Sequence, residues 1–356
     1  MRILVTGNEG YIGSLLVPRL IAAGHDVRGL DTGLFRECAI GPIAAPPTLQ
    51  KDVRDVEKED VDGYDAIIHL AGLANDPLGD LDPPLTFDIN HGATVRLAEL
   101  AKQAGVRRFL YASTCSVYGA AGDNFIDEDS TTNPVTPYAD SKVLSENDLI
   151  RLADHSFCPV FLRAATAYGV SPYLRFDLAV NNLVAWAYST GRVFLKSDGQ
   201  SWRPFVHIDD IASAYVALLD APDRQVNAQA FNVGATDENY RICDLAEQVR
   251  DNVPNSRIEF ANDASPDHRS YRVRCERIKQ VLPGYQNRWS VRDGIIEVRD
   301  AIERAGVSPE DFEGARYNRI AHVRRLLDSG RLQRDLRWTR SLAAKTAHQA
   351  LRKAAS

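Results

Sequence analysis

The 356-residue sequence lacks the features that mark several classes of protein. Its cysteines are odd in number and widely spaced, so they predict neither a disulfide framework nor a zinc site; they are Cys38, Cys115, Cys158, Cys243 and Cys275. No apolar run reaches the roughly 18 residues of a membrane span, and no charged leader precedes an apolar segment at the N-terminus. The net charge of −6 offers no basic excess for nucleic acid. We therefore expect a cytoplasmic protein with no metal, membrane or nucleic-acid partner.

What the sequence does contain is an alternation of strand and helix patterns over its first 170 residues. An apolar fraction of 44% and a charged fraction of 25% are typical of globular proteins. Short apolar runs occupy 2–6, 26–30, 66–70, 108–112 and 159–162, and helical spacing separates them at 12–23, 84–104 and 138–154. This alternation predicts an α/β fold with a Rossmann-type, doubly wound parallel sheet.

The pattern loosens after residue 170, which indicates a second structural unit. We predict a dinucleotide-binding Rossmann domain over 1–170, with later strands returning to its sheet. A smaller, mainly substrate-binding lobe is expected over 171–305 and a helical extension over 306–356. The tail beyond about residue 340 carries four basic residues and no acidic one: Arg340, Lys345, Arg352 and Lys353. A solvated or frayed terminal helix is favoured there over a membrane or partner contact.

A glycine-rich turn between the first strand and the first helix predicts a dinucleotide site. Gly7, Gly10 and Gly13 allow a tight turn and close approach of backbone to a pyrophosphate, and Tyr11 and Ile12 lie in the same turn. The free N–H groups at the start of the helix favour the phosphates. The GxxGxxG spacing departs from the usual GxGxxG. The prediction therefore depends more on the position of the motif, directly after the first strand, than on its spacing.

An acidic residue at the end of the second strand predicts which dinucleotide binds. Asp31 can accept hydrogen bonds from the adenosine ribose and would repel the additional phosphate of NADP, so NAD is expected. Two further segments are expected to touch the cofactor. Asp52 and Val53 follow a short strand (TLQ) and can bracket the adenine, and small residues end the run at 66–70; the latter contacts are Leu70, Ala71 and Gly72.

Tyr138 and Lys142 form the most informative pair of polar residues. Their i, i+4 spacing at the start of a helix places them on one face. A phenol is a poor base because its pKa is near 10, but a neighbouring ammonium and a nicotinamide ring would favour the phenolate. The segment 113–119 (STCSVYG) follows the run at 108–112, and its hydroxyls can bind a substrate oxygen.

Together these motifs resemble the extended short-chain dehydrogenase/reductase family, in its NAD-dependent nucleotide-sugar epimerase and dehydratase branch, over roughly residues 1–300. The resemblance implies that Tyr138 is the acid/base tyrosine and that Lys142 binds the nicotinamide ribose. It implies that Thr114 is the catalytic threonine and that Asn90 lies in a segment behind the cofactor.

The resemblance also implies residues that bind a nucleotide-diphosphate sugar. Asn182 matches a nucleotide contact, Arg203 matches an arginine that binds the diphosphate, and Arg272 matches a second one, with Arg269 a less certain neighbour. Guanidinium suits these places because it pairs with phosphate through two hydrogen bonds.

A homodimer is a further implication of the resemblance. The helices at 84–104 and 138–154 are expected to pair with their copies. Leu97, Leu100, Leu144 and Leu149 are candidates for that surface, although some of them must face the sheet instead.

Two positions beside Thr114 separate the possible reactions. The 4,6-dehydratases of the family have Asp-Glu after the threonine, whereas this chain has Cys115 and Ser116. Ordinary 4,6-dehydration is therefore disfavoured, and epimerisation through a 4-keto sugar is the expected reaction. Cys115 is either an additional acid or base or a small buried residue. A dehydratase, a 4-keto-sugar reductase and a catalytically silent dinucleotide-binding regulator remain alternatives.

Overall fold

A computed structural model describes residues 1–40, 43, 46–74 and 76–339. Its strands are β1 (Arg2–Thr6), β2 (Asp26–Asp31), β3 (Thr48–Gln50), β4 (Ala66–His69), β5 (Arg108–Thr114), β6 (Ala120–Ile126), β7 (Cys158–Ala164), β8 (Thr166–Tyr168), β9 (Arg192–Ser197), β10 (Trp202–His207), β11 (Gln229–Val233), β12 (Asn239–Arg241), β13 (Arg257–Ser265) and β14 (Ser270–Val273).

The helices alternate with these strands. They are α1 (Gly13–Ala22), α2 (Lys58–Val61), α3 (Asp76–Gly79), α4 (Pro83–Phe87), α5 (Ala93–Gln103), α6 (Pro137–Leu152), α7 (Ala179–Thr190), α8 (Ile208–Leu219), α9 (Asp223–Val226), α10 (Ile242–Asn252), α11 (Glu276–Val281), α12 (Val291–Ala305), α13 (Pro309–Glu313) and α14 (Arg319–Asp328). No helix in this described part of the chain has both the length and the hydropathy to cross a membrane.

A seven-stranded parallel sheet forms the centre of the molecule, in the order β3-β2-β1-β4-β5-β7-β11. β4 and β7 are apolar runs buried on both faces, as expected of strands covered by helices on each side. The strand order reverses between β1 and β4, which opens a crevice at their carboxyl ends. This topology confirms the predicted Rossmann-type sheet, and β11 is a late strand that returns to it.

The remaining strands form small sheets beside this crevice. β9 pairs with β13, β10 lies between β8 and β12, and β6 pairs with β14. α7, α10 and α12 pack together over a separate apolar core that includes Val184, Leu245 and Ile295. Because β10 and β14 carry Arg203 and Arg272, this arrangement puts the expected substrate residues on the small sheets.

The predicted helix at 84–104 is interrupted by a π-helical turn at Asp88–Gly92, between α4 and α5. Such wide turns frequently occur at functional sites. Leu97 on α5 and Leu149 on α6 are fully buried against the sheet, whereas Leu144 is 42% exposed.

The extension after residue 305 contains α13, α14 and a short bridge between Leu332 and Trp338. Its apolar side chains, among them Val323, Leu326 and Leu336, pack against Leu34 and Phe35 near the end of β2. The extension is therefore folded onto the Rossmann domain. The basic tail residues Arg340, Lys345, Arg352 and Lys353 lie outside the described residues.

Candidate active site

A cavity of about 560 Å³ lies at the carboxyl ends of the central strands. It brings together most of the residues that the sequence predicted. Those in its lining are Gly7, Gly10, Tyr11, Ile12, Gly13, Asp31, Asp52, Val53, Leu70, Ala71, Gly72, Thr114, Tyr138, Lys142 and Arg203. Asn90, Cys115, Asn182 and Arg272 do not line it. No group of three or more metal-ligating side chains occurs within the ranges that the structure describes.

The glycine turn at one wall of the cavity has no room for side chains. Gly7 has a φ of +73°, and a Cβ there would lie 2.7 Å from the backbone N of Ala71. A Cβ on Gly13 would lie 2.4 Å from the carbonyl oxygen of Gly7. No side chain caps the start of α1, and the N–H groups of Ser14 and Leu15 donate to the carbonyls of Gly10 and Ile12, so the turn is held by its own backbone. This cradle suits the pyrophosphate of a dinucleotide.

Asp31 is held rigidly at the end of β2. Its Oδ2 accepts a hydrogen bond from the Glu9 N–H at 3.0 Å, and its Oδ1 accepts one from the Gly33 N–H at 2.8 Å. Burial raises the pKa of Asp31 to about 6. Arg36 binds Glu9 through two contacts of 2.6 Å and so fixes the loop beside it. A buried carboxylate with this orientation is suited to the ribose hydroxyls.

Asn90 supports the cavity from behind. It lies in the π-helical turn, where its Oδ1 accepts from the Leu73 N–H at 2.7 Å and its Nδ2 donates to the Leu73 carbonyl at 3.0 Å. These bonds hold the backbone that follows β4, including Gly72. Asn90 therefore fixes the backbone beside the cavity without lining it, and its place behind the cofactor stays a prediction.

Tyr138 and Lys142 stand on one face of α6, as their spacing predicted. Thr136 begins the helix, because its Oγ1 accepts from the Ala139 N–H at 3.2 Å. Lys142 Nζ donates to the Ala112 carbonyl at 2.8 Å and lies 5.8 Å from the centre of the Tyr138 ring. Burial lowers the pKa of Lys142 to about 8. The ammonium is thus poised close to the phenol.

Thr114 ends β5 and completes this group. Its Oγ1 accepts from the Ser116 N–H at 3.1 Å and caps the short 3-10 turn that follows. Burial raises the pKa of Tyr138 above its ordinary value, the negative charge of Asp76 adds to this effect, and a hydrogen bond with Thr114 opposes it. The hydroxyls of Thr114 and Tyr138 are therefore close enough to share one substrate oxygen.

On the substrate side, Arg203 and Arg269 line the cavity. Both bind Asp267, with Nη2–Oδ2 distances of 2.8 Å in each case. Arg269 also pairs with Asp76, and the Arg203 guanidinium lies 5.4 Å from the Tyr271 ring centre. Two guanidiniums at this end are suited to an anionic substrate.

Arg272, the second diphosphate contact expected from the resemblance, lies on the other side of β14. Its guanidinium stacks on Phe125 and Trp202, at 4.0 and 4.4 Å from the ring centres. Successive strand residues face opposite sides, so Tyr271 points into the cavity and Arg272 points away from it. Arg269, the less certain neighbour, lines the cavity in place of Arg272.

Asn182 and Cys115 also lie away from the cavity. Asn182 Nδ2 donates to the Phe176 carbonyl at 2.8 Å and so holds the loop before α7. Cys115 is 1% exposed, and its Sγ donates to the Arg163 carbonyl at 3.1 Å. Burial raises the pKa of its thiol well above the ordinary value. The structure therefore agrees with a small buried residue at Cys115 rather than with an acid or base.

The cavity residues that the sequence analysis did not select include Arg175, Tyr271 and Arg319. Arg175 binds Asp177 through two contacts of 3.0 and 2.6 Å. The sequence signal for Arg175 was the acidic Asp177 two residues later, in the segment between β8 and α7. Tyr271 is adjacent to the arginine that was chosen. Arg319 lies beyond the resemblance, and no motif marked it.

This fold and this lining define a dinucleotide-dependent enzyme of the short-chain dehydrogenase/reductase class. The chain belongs to the NAD dependent epimerase/dehydratase family, whose model matches residues 3–234. Its cofactor is NAD, as the glycine turn and Asp31 predicted.

Relatives and solved structures agree with that assignment. The chain is 31% identical over 308 residues to a UDP-glucose 4-epimerase of Mycolicibacterium smegmatis, covering 83% of this chain and 97% of the relative. It is similar to MoeE5 in complex with UDP-glucuronic acid and NAD, with 26% identity and a TM-score of 0.75 over 86% of this chain and 100% of that one. It is also similar to TunA, an NAD-dependent NDP-hexosamine 5,6-dehydratase, with 25% identity and a TM-score of 0.76 over 85% and 98% of the two chains.

Proposed function

We propose that this protein is a nucleotide-sugar 4-epimerase whose substrate is a UDP-hexose or UDP-hexuronic acid. The observation that carries the proposal is the convergence of Thr114, Tyr138 and Lys142 in one cavity, together with the absence of a carboxylate at positions 115 and 116. The UDP-sugar names of its relatives support the choice of nucleotide.

The three residues divide the work at one sugar carbon. Bound NAD supplies a reversible hydride acceptor. Tyr138 takes the proton of the sugar hydroxyl as the carbon is oxidised and returns it when the opposite face is reduced. Thr114 orients that oxygen, and the positive charge of Lys142 favours the phenolate of Tyr138. No proton leaves carbon in this scheme, so no additional base is required.

The carboxylates near the substrate end argue against dehydration. Asp76 and Asp267 line the cavity, but both are paired with Arg269. Asp76 also accepts a hydrogen bond from Thr136 at 2.7 Å. Carboxylates held by these partners are not free to take a proton from a sugar carbon. This arrangement supports epimerisation over loss of water.

The experiment is incubation with UDP-glucose, UDP-galactose and UDP-glucuronic acid in deuterated water, followed by NMR and mass spectrometry. We expect a product with inverted C4, unchanged mass and no deuterium on carbon, formed without added reductant. Tyr138→Phe serves as the inactive control. A product lighter by one water, a product lighter by carbon dioxide, or stoichiometric NADH would each contradict the proposal.

The proposal includes a homodimer in a reducing cytoplasm. Leu144 and Ile150 on α6 are 42% and 45% exposed and offer apolar contacts to a second copy. All five cysteines are unpaired, as a reducing compartment requires. Light scattering at micromolar concentration is expected to give twice the chain mass, and cell fractionation to recover the protein with cytoplasmic markers. A monomer or an exported protein would count against these two points.

A further inference from the structure

The extension after residue 305 holds the loop that follows Asp31. Trp338 Nε1 donates to the Thr32 carbonyl at 2.8 Å, and His322 Nε2 lies 2.8 Å from the Leu34 carbonyl. Arg325 and Arg331 both pair with Glu37. The extension therefore forms part of the adenosine end of the cavity, although the resemblance in sequence ends near residue 300.

The extension also places a cation in the cavity lining. Arg319, the first residue of α14, is 3% exposed and lines the cavity. Its guanidinium lies 3.8 Å from the centre of the Phe35 ring, and its Nη2 is 3.5 Å from the Tyr173 carbonyl. Its Nη1 is buried and has no hydrogen-bond partner among the residues that the structure describes. A buried donor of a charged group that lacks an acceptor is costly, so the site is incomplete without a ligand.

Arg319 shares the cavity with charged residues of both signs, among them Arg175, Asp177 and Asp31. Burial and the positive charge of Arg175 together lower its pKa to about 10, while Cys38, Asp177 and Asp31 act in the opposite direction. Arg175 lies 5.9 Å from the ring centre of Tyr11, in the glycine turn, and its own charge is paired with Asp177. Arg319 thus lines the same cavity as Asp31 and the glycine turn, and it remains protonated at neutral pH.

We propose that Arg319 binds the diphosphate of NAD and that the C-terminal extension thereby retains the cofactor in the enzyme. The chemistry fits because the diphosphate is the anionic part of the dinucleotide, and guanidinium hydrogen bonds to phosphate are charge-assisted. The proposal rests on the NAD dependence of the family and not on the sugar substrate, so failure of the epimerase assignment would leave it intact.

The test compares Arg319→Met with a control, Arg324→Met, on the exposed face of the same helix. Methionine keeps the packing against Phe35 and removes the donors. The NAD content of the purified protein is measured after denaturation, and the Kd values of NAD, ADP, adenosine and UDP are measured by calorimetry. For Arg319→Met we expect the Kd of NAD and of ADP to rise about tenfold or more, as for loss of a charged hydrogen bond. The Kd values of adenosine and UDP should not change.

A second readout distinguishes ligand binding from a structural role. Because Arg319→Met removes a buried, incompletely paired cation, the ligand-free variant is expected to melt no lower than the wild type, while the rise in melting temperature on adding NAD shrinks. If the Met variant does not fold, Arg319→Gln repeats the measurements without the charge. An unchanged Kd for NAD would overturn the proposal. A higher Kd for UDP alone would assign Arg319 to the substrate diphosphate instead.

Discussion

The two ends of the cavity are built in different ways. At the nicotinamide end, Thr114, Tyr138 and Lys142 come from β5 and α6, within thirty residues of one another. At the adenosine end, Asp31 is surrounded by the glycine turn and by a loop that residues 319–338 hold in place. The contrast indicates that the chemistry depends on a local motif, whereas cofactor retention depends on contacts between distant segments.

The electrostatics of the two ends share one feature, which is burial of incompletely compensated groups. Burial lowers the pKa of Lys142 to about 8 at one end and raises the pKa of Asp31 to about 6 at the other. Groups with perturbed pKa values cluster at functional sites, where a bound ligand can provide the charge or hydrogen bond that the buried group lacks. Substitutions should therefore separate catalysis at one end from cofactor selection at the other.

The largest effect is expected at the nicotinamide end, from Tyr138→Phe. Loss of the phenolic hydroxyl removes the acid and base, so kcat should fall about 10²-fold or more. The NAD content and the melting temperature should stay close to those of the wild type, since the ring remains in place. Tyr188→Phe, at a 40% exposed tyrosine, is the matched control. A loss of bound NAD comparable to the loss of kcat would contradict the assignment of catalysis and cofactor retention to different ends of the cavity.

An intermediate effect is expected at the adenosine end, from the ionisation of Asp31. Its pKa of about 6 means that the carboxylate is charged above that pH and largely neutral below it. The charged form accepts the ribose hydroxyls and repels the 2′-phosphate, so the preference for NAD over NADP should grow about tenfold between pH 5 and pH 7.5.

Asp31→Asn provides the control for this pH dependence. The 2′-phosphate of NADP titrates in the same range, and the variant retains that contribution while it removes the carboxylate. Its ratio of Kd values should be lower, and the pH dependence that remains should be that of the 2′-phosphate alone. A variant that discriminates as strongly as the wild type would show that Asp31 does not face the ribose.

The smallest effect is expected from Cys115→Ala. The thiol lies behind the Thr114 turn and is bonded to the Arg163 carbonyl, outside the cavity. We expect kcat to stay within about twofold, with a modest loss of stability from the small cavity that remains. Cys158→Ala, another buried cysteine of the sheet, is the control for stability. A large fall in kcat with unchanged stability would indicate that Cys115 takes part in catalysis.

Much of the site could be predicted because its signals are local. The glycine turn lies directly after β1, Asp31 ends β2, and Tyr138 and Lys142 are one helical turn apart, so chain geometry alone brings each set together. The interruption of the helix at 84–104 could not be predicted, because the π-helical turn accompanies the bonds from Asn90 to Leu73, across the fold.

The sequence by itself determined the class of fold and the cofactor, and it predicted the grouping of Thr114, Tyr138 and Lys142, because turn chemistry and helical periodicity act over a few residues. Only the tertiary structure decided that Arg269 rather than Arg272 lines the cavity, because the side that a strand residue faces depends on what the strand packs against. It also decided that Cys115 is buried in the core and that Arg319 lines the same cavity as Asp31, nearly 300 residues earlier in the chain. These contacts depend on packing between distant segments, which no local pattern encodes.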